Sequence, residues 1–488
     1  MEQNPSSKSC PDKVRSDNGL TSSSNATGKK DDRNQIKNTS MTRFSRRQFI
    51  ITAGAATAGS LLVHGCSNSG TSNTSTSNGS ASPAGSASPV ANVSPGDAPE
   101  VTTAKLGFIA LTDAAPLIIA KEKGLFEKHG MTDVQVLKQA SWAVTRDNLV
   151  LGSGGGGIDG AHILSPMPYF MSLGTITKGN KVPMYILARL NTNGQAISVA
   201  NTYKDLKIGL DSKPLKEAFT KAKSGGKELK AAVTFPGGTH DLWMRYWLAA
   251  GGINPEQDVS VIVVPPPQMV QNVKVGNMET FCVGEPWPAQ TVTQQIGYTA
   301  ITTGELWKDH PEKALTMRAD WVDKNPKAAK AILMAVQEAQ QWCAKTENKE
   351  EMANIVAKRE WLKVPVKDIL GRFQGKFDYG DGRVEDYSNS LLMKFWRDNA
   401  SYPYKSHDTW FLTENIRWGK IPADTDIKKT VDAVNREDLW REAAKTLNVA
   451  DSEIPKSTSR GVETFFDGVK FDPENPTAYL KSLKIKKV

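Results

Sequence analysis

The stretch Lys105-Leu-Gly-Phe-Ile-Ala-Leu-Thr-Asp-Ala-Ala-Pro-Leu-Ile-Ile-Ala-Lys-Glu-Lys-Gly124 changes its period halfway along. Residues 105–111 are a short apolar run of strand length. From residue 113 to 128 the apolar positions recur at helical spacing, with Gly130 as a stop. A strand feeding an amphipathic helix is the unit of layered α/β folds, and the alternation continues. Strands are expected at residues 134–137, 184–190 and 196–200, with a helix at 145–151. A second series begins near Lys207-Ile208-Gly209 and includes residues 231–235, 259–264 and 279–283. Residues 325–344, opening Asn-Pro and rich in Ala, form the strongest helix pattern. The expectation is two α/β lobes, each over a largely parallel sheet, facing one another across a cleft. Residues 101–205 are read as the first part of lobe 1, 206–364 as mainly lobe 2, and 365–488 as a C-terminal extension packing on lobe 1.

The region before this body reads as an address. Residues 1–40 are polar and rich in Ser, Asn, Asp and Lys, a composition that cannot bury enough apolar surface to offset ordering entropy, so disorder is expected. Met41 offers an alternative start. Residues 41–66 have the form of an export signal: Arg46-Arg47, then an Ala-, Gly- and Leu-rich run too short for a comfortable membrane span, then Val63-His64-Gly65-Cys66. The paired arginine points to the folded-protein export route. The last four residues resemble the lipobox of bacterial lipoproteins, in which the cysteine is acylated, and this marks Cys66 as a lipidation site. Residues 67–100, nearly all Ser, Thr, Asn, Gly, Ala and Pro, read as a flexible tether. Anchor, leash and globular body together imply work just outside a membrane.

Composition excludes other classes. The chain of 488 residues carries a formal charge of +9, but its Lys and Arg are scattered among Asp and Glu, and neither a recognition helix nor an RNP-type strand is present, so no nucleic-acid partner is implied. Cys10, Cys66, Cys282 and Cys343 have no metal-ligand spacing. Neither a metal nor a cofactor is expected.

In open α/β sheets ligands settle beyond the carboxyl ends of strands, so strand exits are the places to search. The glycine run at residues 152–157 lacks a P-loop's GK[ST] ending and reads as a loop allowing close backbone approach. Phe235-Pro-Gly-Gly-Thr-His240-Asp241 lies between a strand and a helix; its glycines expose backbone N–H groups at a positive helix end, which suits a small anion, and His240 is placed to donate into the cleft. Phe281-Cys-Val-Gly284-Glu-Pro-Trp-Pro288 is another strand exit, with Gly284 permitting unusual backbone angles. Ser141-Trp142 presents an indole as wall or N–H donor. There is no GxSxG elbow, no HExxH and no activated Cys–His pair, which favours binding over turnover.

The motifs in order, residues 105–124, Ser141-Trp142, residues 157–160, 234–240, 283–287, 402–408 and 459–468, resemble the nitrate- and nitrite-binding lipoproteins of cyanobacterial ABC transporters, a group that also includes bicarbonate-binding relatives. The resemblance runs from about residue 41 to residue 488. It implies a type II-like periplasmic binding protein fold with two lobes closing over one ion, no enzymatic activity, permease and ATPase subunits as partners, and a lipid-anchored position at the periplasmic face of the plasma membrane. It also implies that the ligand contacts are Trp142, Gln195, His240, Pro266, Val283, Gly284 and Lys313. The last of these lies in residues 309–322, which read by themselves as an ordinary surface segment. The bicarbonate-binding relatives have an acidic residue where Lys313 stands, so the resemblance implies nitrate or nitrite, with a bicarbonate receptor as the alternative. Nitrate has no proton to share and demands donors and a positive charge, which a lysine supplies. Lys313→Glu is then expected to abolish nitrate binding and leave the thermal transition nearly unchanged. A rival of another class is an enzyme or ligand-sensing regulatory domain on a similar scaffold, which the export signal and tether disfavour.

Overall fold

The computed structural model describes residues 95–487. The polar N-terminal segment, the signal with Cys66 and nearly all of the tether lie outside the described residues. Ten strands build two sheets: β1 (Thr103–Phe108), β2 (Asp133–Lys138), β3 (Gly160–Leu164), β4 (Met184–Arg189), β5 (Gln195–Ala200), β6 (Lys230–Val233), β7 (Ser260–Val263), β8 (Thr280–Gly284), β9 (Gly297–Thr302) and β10 (Lys313–Arg318). The first sheet has the order β2-β1-β3-β10-β4 and the second β7-β6-β8-β5-β9. In each, one strand runs against the other four: β10 is antiparallel to β3 and β4, and β5 is antiparallel to β8 and β9. The reversed strand is in both cases the one arriving from the opposite sheet, so it starts at the cleft where its neighbours end. The likeness extends to irregularities, because β10 shifts register against β4 at Leu315/Thr316 and β5 shifts against β9 at Ile197/Ser198.

These crossovers move the expected lobe boundaries. The chain leaves the first sheet after Arg189 and enters the second at Gln195, before the residue 205 boundary drawn from the sequence, and it returns to the first sheet at Lys313. The strongest helix pattern forms Pro326–Ala344 and packs on the first lobe's helix Ala115–Glu122, not on the second lobe. The helix expected over residues 113–128 is broken in two, Ala115–Glu122 and Leu125–Lys128, because Gly124 adopts a left-handed conformation at φ 65°. The segment 309–322 is no surface element: β10 is buried from Lys313 through Met317. Gly157 closes the glycine loop against a helix, where a Cβ would lie 2.0 Å from the Asn148 carbonyl oxygen.

The C-terminal segment lies on both lobes rather than on the first alone. Helix Glu437–Thr446 packs on helix Pro326–Ala344, and Asn435 bridges to Ile186 of β4. Helix Lys405–Arg417 instead packs on helix Thr239–Ala250 of the second lobe, with Trp410 stacked on Trp243 at 5.1 Å and 16°. Arg189 at the end of β4 pairs with Asp408 of that same C-terminal helix. Trp410, Phe411, Phe465 and Tyr479 complete the apolar core on one face of the second sheet.

Candidate functional site

The two reversed strands deliver their first residues, Gln195 and Lys313, to the cleft, where β1, β3, β6 and β8 end. Lys313 is fully buried, and its ammonium lies 2.9 Å from Asp113 Oδ2 and 2.7 Å from Glu312 Oε1. Two of its three N–H groups are thereby accounted for. Asp113, just past the end of β1, also takes His162 Nε2 at 2.6 Å on Oδ1 and receives the Gln195 amide at 3.0 Å on Oδ2. Gln195 turns its carbonyl oxygen to His240 Nε2 at 2.8 Å, and His240 Nδ1 meets the Thr234 hydroxyl at 2.6 Å. Glu312 accepts from the Thr239 hydroxyl and from Trp243 Nε1 at 2.9 Å, both on helix Thr239–Ala250. One buried network thus joins the lobes. It is reinforced by backbone contacts across the cleft, Thr112 N–H to the Glu285 carbonyl at 2.8 Å and Trp287 Nε1 to the Ala110 carbonyl at 3.2 Å.

Trp142 opens helix Trp142–Leu151, whose N-cap Ser141 accepts from the Val144 N–H. Its ring lies 5.6 Å from that of His162, and Lys313 Nζ is 5.9 Å from its centroid. The indole is fully buried, yet its N–H has no acceptor among the described residues. A buried donor without a partner is costly, and here it sits beside an ammonium with one N–H to spare.

Gly284 pairs with Gln195 across the sheet, and a Cβ there would stand 2.5 Å from Gln195 Oε1 and 3.3 Å from Asp113 Oδ2. What the position requires is an absent side chain; Gly284 is not among the residues of positive φ, so unusual backbone angles are not its role. Val283 and Pro266 are buried in the second lobe, one in β8 and the other opening a 3-10 turn after β7, and no polar side-chain contact joins either to the cluster. The glycine-flanked helix end is already provided for: Gly237 N–H donates to Asp241 at 2.7 Å, and Glu312 is the anion held by the helix's first turns. Sequence reasoning did not assign Asp113, His162, Thr239, Trp243 or Glu312 to the site. Asp113 falls at the start of the expected helix over residues 113–128, and Glu312 falls within residues 309–322, which read as an ordinary surface segment. The one available signal was an acidic residue directly after an apolar strand.

Electrostatics follow from burial. Desolvation alone would raise Asp113, but the Lys313 charge, together with the hydrogen bonds from Lys313 and His162, holds its carboxyl well below the usual carboxylate range. Burial lowers His162 and pushes His240 well below its ordinary value, with the Lys313 charge adding to both; burial also brings His310 down to about 3. All three imidazoles are therefore neutral near pH 7. Desolvation would lower Lys313, yet the two carboxylates keep it above the ordinary lysine value. Glu312 goes the other way: burial raises it, outweighing the Lys313 charge and the hydrogen bonds from Lys313, Thr239 and Trp243. The ammonium is accordingly no free counter-charge. Placed about 4 Å from it, a single anion gains about 4 kcal/mol at an effective dielectric of about 20, whereas two ionised carboxylates about 6 Å away oppose it with about 5 to 6 kcal/mol. Removing Lys313 would also strand both carboxylates, so the expectation of an unchanged thermal transition for Lys313→Glu does not survive the structure.

Among the described residues no helix is long and apolar enough to cross a membrane, and no group of three or more His, Cys, Asp and Glu is arranged to hold a metal ion. Comparison with known proteins places this cleft in context. Residues 97–357 match the model of the NMT1-like family. The chain is 66% identical to the nitrate/nitrite binding protein NrtA of Synechocystis over 91% of its own length and 98% of that protein's. It is 46% identical to the bicarbonate-binding protein CmpA of Synechococcus elongatus over 91% of its length and 98% of the relative's. The crystal structure of the periplasmic nitrate-binding protein NrtA from Synechocystis superposes with a TM-score of 0.78 at 69% identity, covering 80% of this chain and all of that one. The mixed α/β architecture is thus that of the periplasmic binding proteins, and the chain belongs to the NMT1-like family, in the group that contains the nitrate/nitrite binding proteins.

Proposed function

We propose that the protein is the extracytoplasmic receptor of an ABC importer for nitrate and nitrite, tethered by a lipid on Cys66 and catalysing no reaction of its own. The observation that carries this reading is the indole N–H of Trp142, buried with no acceptor among the described residues, on a ring whose centroid lies 5.9 Å from a Lys313 ammonium that has one N–H left over. An oxyanion lodged between them accepts from both. Gln195 turns its amide from Asp113 to the ion, His240 holds Gln195 in place, and the bare Cα of Gly284 leaves room. Pro266 and Val283 complete the wall from the second lobe. Such contacts from both lobes favour the closed arrangement, and this differential affinity is what shifts the hinge on capture.

Four heavy atoms set the scale. A ceiling of about −1.5 kcal/mol per atom gives roughly −6 kcal/mol, or tens of micromolar, so a useful scavenger must reach that ceiling or exceed it through charge. The test is calorimetric titration of the purified protein with nitrate, nitrite and bicarbonate. Heat with nitrate or nitrite and none with bicarbonate is expected; a response to bicarbonate alone overturns the assignment in favour of a bicarbonate receptor.

A further inference from the structure

We propose that capture of the anion is coupled to uptake of one proton, and that the proton is taken by the Glu312 carboxyl. This rests on reading the cleft as an anion site and adds a mechanism to it. The charge count carries the argument. Lys313 contributes one positive charge; Asp113 and Glu312, both fully buried and both within 3 Å of its Nζ, contribute two negative ones. With both carboxyls ionised, the cluster is negative by one charge before any ion enters. A univalent anion would make it negative by two in a volume shut off from water, and protonating one carboxylate restores the original balance.

Hydrogen-bond geometry decides which group takes the proton. His162 spends Nε2–H on Asp113, while its Nδ1 faces the Ile109 N–H at 3.5 Å. His240 lies between the Gln195 carbonyl and the Thr234 hydroxyl. His310 uses Nδ1 on the Pro311 carbonyl at 3.1 Å and Nε2 on the Thr303 hydroxyl at 2.7 Å. Asp113 is ringed by an imidazole, an amide and an ammonium; the ammonium and the amide nitrogen only donate, and the imidazole is fixed as a donor by the backbone N–H at its other nitrogen. Glu312 differs in one partner. Thr239 is a hydroxyl, able to turn from donor to acceptor and receive the new O–H, while Trp243 and Lys313 continue to donate to the remaining lone pairs. The titratable groups facing Glu312 are Lys313 beside it in β10, His310 at 4.0 Å, His240 at 3.5 Å on the opposing helix, Asp113 across the shared ammonium, and the Cys282 thiol of β8, which burial keeps un-ionised. Burial raising Glu312 acts in the same direction.

The experiment is nitrate titration of the intact protein at about pH 7.5 in two buffers of different ionisation enthalpy, repeated across pH. The buffer dependence of the heat counts protons. About one proton taken up per nitrate is expected, with affinity weakening by up to about tenfold per pH unit on the alkaline side. Glu312→Gln is expected to bind with no proton count and a flat pH profile. Thr239→Val, which deletes the acceptor for the new O–H, is expected to move the wild-type profile to lower pH. Heat that does not depend on the buffer at any pH overturns the coupling alone, an unmoved profile in both variants overturns Glu312 as its seat, and absence of heat with nitrate and nitrite overturns the anion site itself.

Discussion

Replacing Lys313 by Met separates the two tasks that the structure gives this side chain. Its ammonium holds Asp113 and Glu312 together at 2.9 and 2.7 Å, and all three groups are fully buried. Breaking a buried ion pair by removing one partner costs about 3 to 5 kcal/mol, because the stranded charge keeps its desolvation penalty. With an unfolding entropy of about 2.1 cal/mol/K per residue, a body of ~390 residues has a total near 0.8 kcal/mol/K, so the expected fall in Tm is about 4 to 6 °C. Binding should fall much further. Losing about 4 kcal/mol of attraction weakens nitrate roughly a thousandfold, below calorimetric detection. Adding Glu312→Gln to Lys313→Met should recover about half of the lost stability and none of the binding, since it removes one stranded carboxylate and restores no cation. Differential scanning calorimetry reads the first effect and nitrate titration the second. A Lys313→Met protein that melts within about 1 °C of wild type and still binds nitrate within about twofold would refute both roles.

Trp142→Phe removes an N–H that no group among the described residues accepts, so stability should change by less than about 1 kcal/mol while nitrate affinity falls about 10- to 100-fold, the worth of a hydrogen bond to a charged group; thermal scans paired with titration check it. Gly284→Ala drives a methyl toward Gln195 and Asp113 and should cost about 1 to 3 kcal/mol of stability and most of the binding, measured by the same pair of assays. Acid should destabilise the fold through His310 and His407, which burial brings down to about 3. Between the unfolded value of about 6.5 and about 3 the unfolded chain binds more protons, so stability falls as pH falls through that window, by up to roughly 5 kcal/mol for each imidazole, and these two groups contribute no further loss below it. Urea titrations at a series of pH values check the slope, and His407→Gln should flatten it.

The sequence was most legible where periodicity and position agree. Strand-then-helix spacing around residue 105 placed β1 and the helix after it, and the search at strand exits led to Trp142, His240 and Gly284, all of which lie in or beside the network that Lys313 anchors. Lys313 and Gln195 escaped that search for a topological reason. They stand at the beginnings of β10 and β5, and only the reversal of those strands, a long-range property of the two crossovers, turns a strand's first residue toward the cleft. Resemblance supplied them where local pattern had no means to. Asp113 and Glu312 were hidden for a different reason: an acidic residue beside a strand end or a lysine is ordinary on a surface, and nothing local announces that it will be sealed inside. Pro266 and Val283 rest on resemblance alone, since in the structure they offer bulk and no polar atom to the cluster.

The C-terminal arm has a thermodynamic consequence. Helix Lys405–Arg417 stacks Trp410 on Trp243 while its Asp408 grips Arg189, and helix Glu437–Thr446 packs back onto the other half. Neither half owns a complete apolar interior without this shared covering, so neither has a native basin of its own. Melting should appear in calorimetry as one endotherm whose van't Hoff and calorimetric enthalpies coincide, in contrast to the two-step profile of independently stable domains.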